Sequence, residues 1–276
     1  MRAFNFIDGE LQSCLDVADR GLHYGHGVFE TMRLSNSDIP LWSYHKKRLM
    51  AGAEALGLSF DANKVCTYLK QAQKAFPDDG IIKLLLTAGV SPRGYRYKNP
   101  QPSCIVQYFS SPEKYAGSSG THLQLCQYRL PSNPRLAGVK HLNRLDQILA
   151  AQELDEGFDG LMLDGNGDVV EALSSNIFIF DQDKAHWLTP ALASCGVSGV
   201  MRALLCDKII PAMGQTVEIE TFDLETLLKS NEVFMSNALV GVRPVIELQG
   251  HKQWAVGAET QRVMDALKRV FPCFGD

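Results

Sequence analysis

The chain has 276 residues, 45% of them apolar, and a formal net charge of -4 at pH 7. That length exceeds one simple core and favours two mixed subdomains, while the mild acidity offers no basic patch for nucleic acid or an anionic membrane surface. The seven cysteines are scattered without a C-x-x-C pair, which argues against a zinc site or a disulfide framework and fits a reducing compartment. The N-terminal stretch Met1-Arg2-Ala3-Phe4-Asn5-Phe6-Ile7-Asp8 has no apolar h-region. No window approaches the ~18 apolar residues of a membrane span, so a cytoplasmic protein is expected.

Asp8-Gly9 is a turn signal among short N-terminal strands. Val28–Leu34 reads as a strand closed by Ser35-Asn36-Ser37-Asp38. Ser43 is placed to cap a helix reaching about Gly57, with Leu49, Ala53 and Leu56 on one face. A second helix is expected over Ala62–Phe76. Ile81–Ala88 and Cys104–Phe109 are apolar runs of strand length, separated by the polar loop Gly89–Pro102. The Gly-, Ser- and Pro-rich stretch Ser110–Gly120 reads as a linker. It sets a small domain at 1–112 and a larger one at 121–276, joined through 113–120.

Leu123–Arg129 begins the second segment as a strand, followed by a loop over Pro131–Gly138. A helix is expected from His141, carrying Leu142, Leu145, Ile148 and Leu149 at helical spacing. Leu161–Leu163, Val169–Glu171 and Ile177–Phe180 read as adjacent strands, the first two joined by the turn Asp164-Gly165-Asn166-Gly167-Asp168. Gly196-Val197-Ser198-Gly199 leads into a helix with Val200, Leu204, Leu205 and Ile209. Glu232–Met235 is a strand and Ala258–Val270 a final helix. The order gives an α+β class rather than a βαβ alternation. P-loop, H-E-x-x-H, G-x-S-x-G and G-x-G-x-x-G patterns are absent, which leaves nucleotide hydrolysis, zincin and α/β-hydrolase chemistry without support, and no metal site is expected.

Four features have chemical potential, and each also has an ordinary explanation. Lys140 stands at a loop-to-helix junction between Val139 and Leu142, where desolvation or nearby cations would favour a neutral, nucleophilic amine; a solvated lysine is the alternative. Glu171 lies in an apolar strand and either faces water or has a dedicated cationic partner. The Gly196–Arg202 turn opens a helix whose first N–H groups suit an anion, as at many glycine-led helices. Arg48 closes the cationic run His45-Lys46-Lys47-Arg48, which in isolation reads as a solvated helix face.

Taken together, in this order, these features resemble the branched-chain aminotransferase-like, fold-type IV family of pyridoxal-phosphate enzymes over nearly the whole chain. The matching stretches are Leu136-Ala137-Gly138-Val139-Lys140-His141-Leu142-Asn143-Arg144-Leu145, Glu171 with Ser174-Ser175-Asn176-Ile177-Phe178, Thr189-Pro190, Gly199-Val200-Met201-Arg202 and Tyr24-Gly25-His26-Gly27-Val28-Phe29-Glu30. The resemblance implies a small N-terminal α/β sandwich with a larger C-terminal α/β barrel-like domain, and pyridoxal 5′-phosphate as cofactor. Lys140 would be the Schiff-base lysine and proton carrier, and Glu171 would pair with the pyridine nitrogen. Arg48 and the backbone N–H groups of Val200 and Met201 would hold the phosphate, with Asn237 and Ser174 nearby. Ala238 departs from transaminase relatives, which often carry a hydroxyl there. Asn143 and Arg144 are candidates for the ring hydroxyl.

The residues after Lys140 are similar to a carbon–oxygen lyase branch of the family. In the loop Ser91-Pro92-Arg93-Gly94-Tyr95, Arg93 would meet a substrate carboxylate, and Tyr95 stands where D-amino-acid transaminases tend to have histidine. Thr31 would assist proton delivery to a leaving group, and His23 and Tyr24 would line the same entrance. D-amino-acid or branched-chain transamination is the second reading, and a catalytically silent cofactor-binding protein the third. The partners implied are a small-molecule substrate and a second copy of the chain.

Overall fold

The computed structural model describes residues 4–12, 14–76, 79–96, 101–110 and 120–275. Residues 111–119 of the expected linker lie outside them. The chain divides into two compact units, one of Met1–Glu113 with Val139–Asn143, the other of Lys114–Gly138 with Arg144–Asp276.

The first unit is a five-stranded antiparallel sheet backed by helices. Strands β1 (Phe4–Ile7) and β2 (Glu10–Leu11) form a hairpin whose two-residue turn, Asp8-Gly9, has both residues at positive φ, the geometry that matches strand twist. Helix α1 (Arg20–Tyr24) is capped by Asp19, whose side chain accepts from Gly21 N. Strand β3 (Gly27–Leu34) follows, then helices α2 (Trp42–Ala55) and α3 (Ala62–Ala75) and strands β4 (Gly80–Thr87) and β5 (Ser103–Ser110). The sheet order is β2-β1-β5-β4-β3, which leaves β3 at an edge. Val28, Met32 and Leu34 alternate into a core with Leu49, Ala53, Val65 and Leu69 of the two helices. Ser43 does not cap α2: the helix already includes Trp42, and Leu41 stands in the capping position without a side-chain bond. The preceding turn instead supplies acceptors, with Trp42 N donating to Ile39 O and His45 N to Leu41 O.

The second unit is a closed barrel with extensions. Its strands are β6 (Thr121–Leu130), β7 (Phe158–Asp164), β8 (Val169–Ala172), β9 (Asn176–Asp181), β10 (His186–Pro190), β11 (Val217–Glu220), β12 (Glu232–Asn237), β13 (Gly241–Leu248) and β14 (Lys252–Gln253). The path β9-β12-β13-β6-β7-β8 closes through β8–β9 pairing into a six-strand barrel, while β10 and β11 extend beyond β9 and β14 adds to β13. Leu123, Leu161, Leu163, Ile177, Ile179, Val233, Met235 and Val245 share one core. The opposite face of β9 and β12 carries Phe178 stacked on Phe234 at 4.7 Å. Helices α4 (Leu145–Ala151), α5 (Val200–Leu204), α6 (Ile210–Ala212), α7 (Leu224–Lys229) and α8 (Ala258–Val270) complete the unit, and a π-helical turn at Leu205–Ile209 joins α5 to α6. None of the helices among the described residues is long and apolar enough to cross a membrane.

The helix expected from His141 begins only at Leu145. The reason is long-range pairing: Phe29 N donates to Lys140 O and Leu142 N to Gly27 O, both at 2.9 Å, and Val28 bridges His141. Residues 140–142 are thus spent as an extended addition to the free edge of β3. The apolar face expected on that helix is also open, with Leu145, Ile148 and Leu149 exposed.

Candidate active site

In the first unit, the edge pairing with β3 sets the surroundings of Lys140. Its Nζ lies 4.5 Å from the ring centroid of Phe29, on the face of β3 that Thr31 shares by strand alternation. Glu30 points the other way, toward α2. It is 1% exposed, accepts from His45 Nδ1 at 2.6 Å and from Arg48 Nε at 2.8 Å, and receives a second bond from Arg48 Nη2. Burial pushes the Glu30 carboxyl up, but the charge and bonds of Arg48, helped by His45, outweigh it and hold the group at about 2. Burial lowers His45 from its ordinary value; Glu30 opposes the fall, and the Arg48 and Lys140 charges add to it. A neutral imidazole donating to a carboxylate therefore describes the pair better than an ion pair. Arg48 has two of its nitrogens on Glu30, which fixes the plane of the guanidinium.

A second cluster in this unit surrounds the Ser91–Tyr95 loop. Arg93 and Tyr95 are exposed, and Tyr24 stands 5.7 Å from Tyr95 and 5.8 Å from His23, ring to ring. The four residues expected at the substrate entrance are thus near neighbours along one loop and α1. Buried Arg20 donates to Ser91 Oγ and to the Gly94 and Tyr95 carbonyls.

In the second unit, Glu171 is buried and accepts from Val197 N at 2.8 Å. Asn176 donates to the carbonyl of the same residue at 2.9 Å, so the Val197 backbone is held at both its N–H and its C=O. Burial lowers the Arg144 guanidinium from its ordinary value, opposed by the Glu171 and Asp146 carboxylates. Gly196 has φ +83, and Gly199 caps α5. A Cβ on Gly199 would collide with Asn176 Oδ1, and one on Gly196 would press on Val170 beside Glu171. Val200 and Met201 open α5, where N–H groups have no intrahelical acceptor. Arg202 binds Thr189 Oγ1 and Pro190 O at 3.1 and 2.9 Å, tying the Thr-Pro motif to this helix.

Asn237 and Ser174 lie differently. Asn237 donates to Ser175 Oγ at 3.0 Å and its oxygen accepts from Leu239 and Val240 N, so its side chain is committed to a turn. Ser174 is exposed, whereas Ser175 is buried. The hydroxyl that alternation aims at the helix side of β12 is Ser236, paired in register with Asn176; it is buried and its Oγ has no hydrogen-bond partner. A buried orphan hydroxyl, a glycine-lined turn and open helix N–H groups fit the phosphate end of the cofactor that the resemblance implies.

Glu30, His45, Asn176, Ser236 and Arg20 received no individual role from the sequence, although Glu30 and Asn176 lie in the family-like stretches and His45 in the cationic run. Signals existed for two: Glu30 is an acid at an inward strand position, and His45 shares a helix face with Arg48 at i, i+3. Ser236 and Asn237 differ by one residue, a choice that only strand parity decides. A separate cleft of ≈ 640 Å³ in this unit, lined by Asp168, Asp181, Glu220, Asp223 and Lys229 among others, holds none of the expected residues. No cluster of metal-ligating side chains occurs among the described residues.

Comparison with known proteins matches residues 27–248 to the profile described as amino-transferase class IV. The chain is 31% identical over 271 residues to an aminodeoxychorismate lyase of Vibrio harveyi, covering 95% of this chain and 98% of that protein. It is 26% identical over 269 residues to a D-alanine aminotransferase of Bacillus licheniformis, covering 93% and 92%. The crystal structure of 4-amino-4-deoxychorismate lyase from Pseudomonas aeruginosa superimposes with a TM-score of 0.91 at 35% identity, over 96% of this chain and 98% of that one.

Proposed function

This chain belongs to the class IV amino-transferase family, and on that footing we propose that it is a pyridoxal-phosphate-dependent carbon–oxygen lyase converting aminodeoxychorismate to 4-aminobenzoate and pyruvate. Lys140 would be the lysine that joins the cofactor, Glu171 would pair with its ring nitrogen, and Arg48, Ser236 and the Val200 and Met201 N–H groups would hold its phosphate. When bound, pyridoxal phosphate supplies an electron acceptor conjugated to the substrate amine. The Lys140 amine then removes the ring proton, and Thr31 hands a proton to the ether oxygen as the C–O bond breaks. Enolpyruvate leaves and the six-membered ring becomes aromatic. Transamination would need Lys140 to redeliver that proton rather than let the oxygen depart.

The observation that favours elimination is the Arg93-Gly94-Tyr95 loop, in which arginine suits a substrate carboxylate and tyrosine stands in place of a transaminase-like histidine. The 31% and 35% identities to lyases support the same reading, against 26% for the transaminase. The protein is expected to act as a homodimer in the cytoplasm, a step in making folate, with residues 1–112 and 121–276 as its domains apart from Val139–Asn143, which join the first.

The deciding experiment runs both assays side by side on purified protein. Release of 4-aminobenzoate with pyruvate from aminodeoxychorismate supports the lyase. Keto-acid formation from D-alanine and 2-oxoglutarate, without 4-aminobenzoate, overturns it. An absorbance band above roughly 400 nm that borohydride abolishes tests the cofactor linkage separately.

A further inference from the structure

Arg20 is 3% exposed, and its guanidinium is spent on a loop. Nη1 donates to Ser91 Oγ at 3.0 Å and to Gly94 O at 2.8 Å, Nη2 reaches Tyr95 O at 3.3 Å, and Nε reaches His26 Nδ1 at 3.3 Å. The guanidinium carbon lies 4.7 Å from the ring centroid of Tyr24, whose hydroxyl accepts from Gly94 N at 3.0 Å. One side chain thus holds the tip of the loop directly and through the ring it stacks on.

The root of the loop is fastened separately. Thr87 Oγ1 donates to Asp19 Oδ2 at 2.7 Å, Arg20 N donates to Gly89 O at 2.9 Å, and Asp19 bridges Val90. Between root and tip the loop contributes nothing to the core: none of residues 91–95 is buried, and the Tyr95 ring leans on Tyr24. A segment without apolar burial takes its conformation from its hydrogen bonds, and here most of them converge on Arg20. A carboxylate-binding arginine on such a segment is only as well aimed as the clamp beneath it.

We propose that Arg20 is a positioning residue that sets the Ser91–Tyr95 loop so that Arg93 and Tyr95 meet a substrate carboxylate. This rests on the reading of that loop given under the proposed function. Arg20 acts through the Gly94 and Tyr95 carbonyls.

The test uses the cofactor-loaded enzyme with Arg20→Met and Arg20→Lys. Trypsin cuts after arginine, so cleavage after Arg93 and Arg96 reads loop opening without reference to activity. In Arg20→Met, cleavage there is expected to speed up about tenfold at an unchanged melting temperature and unchanged cofactor band, while KM for aminodeoxychorismate rises about tenfold and kcat stays within about twofold. Arg20→Lys, with a point charge for a planar fork, should recover little of either. Cleavage at the wild-type rate overturns the proposal, as does a fall in kcat with KM unchanged. If Arg20→Met does not fold, Tyr24→Phe removes only the acceptor for Gly94 N and should move both readouts the same way by a smaller factor; no movement in either overturns it. Faster cleavage in an enzyme that never makes 4-aminobenzoate, wild type included, keeps the clamp and discards the lyase.

Discussion

In the five-stranded unit, buried polarity is held by side chains: Glu30 is gripped by His45 and Arg48, and the Ser91–Tyr95 loop by Arg20. In the barrel unit it is held mainly by backbone: Glu171 accepts from Val197 N, Asn176 grips the carbonyl of that residue, and glycines leave the room that a Cβ would fill. The difference decides what perturbs each. A side-chain clamp responds to charge and pH, because its members titrate or can be neutralised. A backbone cradle responds to added volume, because its donors cannot be mutated away.

The largest effect is expected where the first unit presents its amine. Lys140→Ala should lower turnover by ~10³-fold or more, with no adduct fixed by borohydride and a melting temperature near that of wild type. Turnover that survives in this variant removes Lys140 from the chemistry.

Glu30→Gln tests the charge clamp. A carboxyl lowered from 4.5 to about 2 at a site 1% exposed corresponds to ~3 kcal/mol of stability. Because the folded value is the lower one, that contribution is complete above about pH 4.5 and drains as pH falls toward 2. Urea unfolding should therefore show a constant gap between wild type and Glu30→Gln from pH 7 to about 5, closing below. A gap that grows with acidity would show that the carboxylate is not held charged by Arg48.

Gly199→Ala tests the volume cradle in the second unit. Its φ of -64 is open to alanine, so the cost is the displacement of Asn176 and its bond to Val197, about 2 kcal/mol, and calorimetry should show a melting temperature lower by several degrees. Serine is the mildest probe: Ser236→Ala deletes a buried hydroxyl without a partner and should leave the unliganded protein as stable or up to about 1 kcal/mol more so. The same variant should bind pyridoxal phosphate several-fold more weakly but pyridoxal equally well. Equal loss for both ligands would remove Ser236 from the phosphate end.

Most elements were legible because their apolar periodicity is local: the strand at Gly27–Leu34, the helix at Ala62–Ala75 and the hairpin over Asp164–Asp168 fall close to where the pattern puts them. Failures occur where a distant segment overrides local preference. The chain from His141 has helical spacing, yet β3 takes Lys140 O and Leu142 N into an edge pairing across more than a hundred residues. Leu145, Ile148 and Leu149 are spaced for a core that does not receive them. Of the expected site residues, Lys140 and Glu171 were singled out by their motifs, whereas the Phe29 ring beside one and the Val197 N–H on the other are brought there by distant segments. Arg20 looked like any loop cation, because the groups that use it are about seventy positions away.

The five residues 139–143 have a consequence for dissection of the molecule. Lys140–Leu142 pair with Gly27–Phe29 on the outer rim of β3, so a fragment ending at Glu113 would leave the rim-facing hydrogen-bonding groups of Gly27 and Phe29 bare. Such a rim is a template for pairing with other chains. A truncated first unit is therefore expected to precipitate or dimerise through β3, and a soluble version must have Val139–Asn143 restored, for instance by a short designed connection from the end of β5.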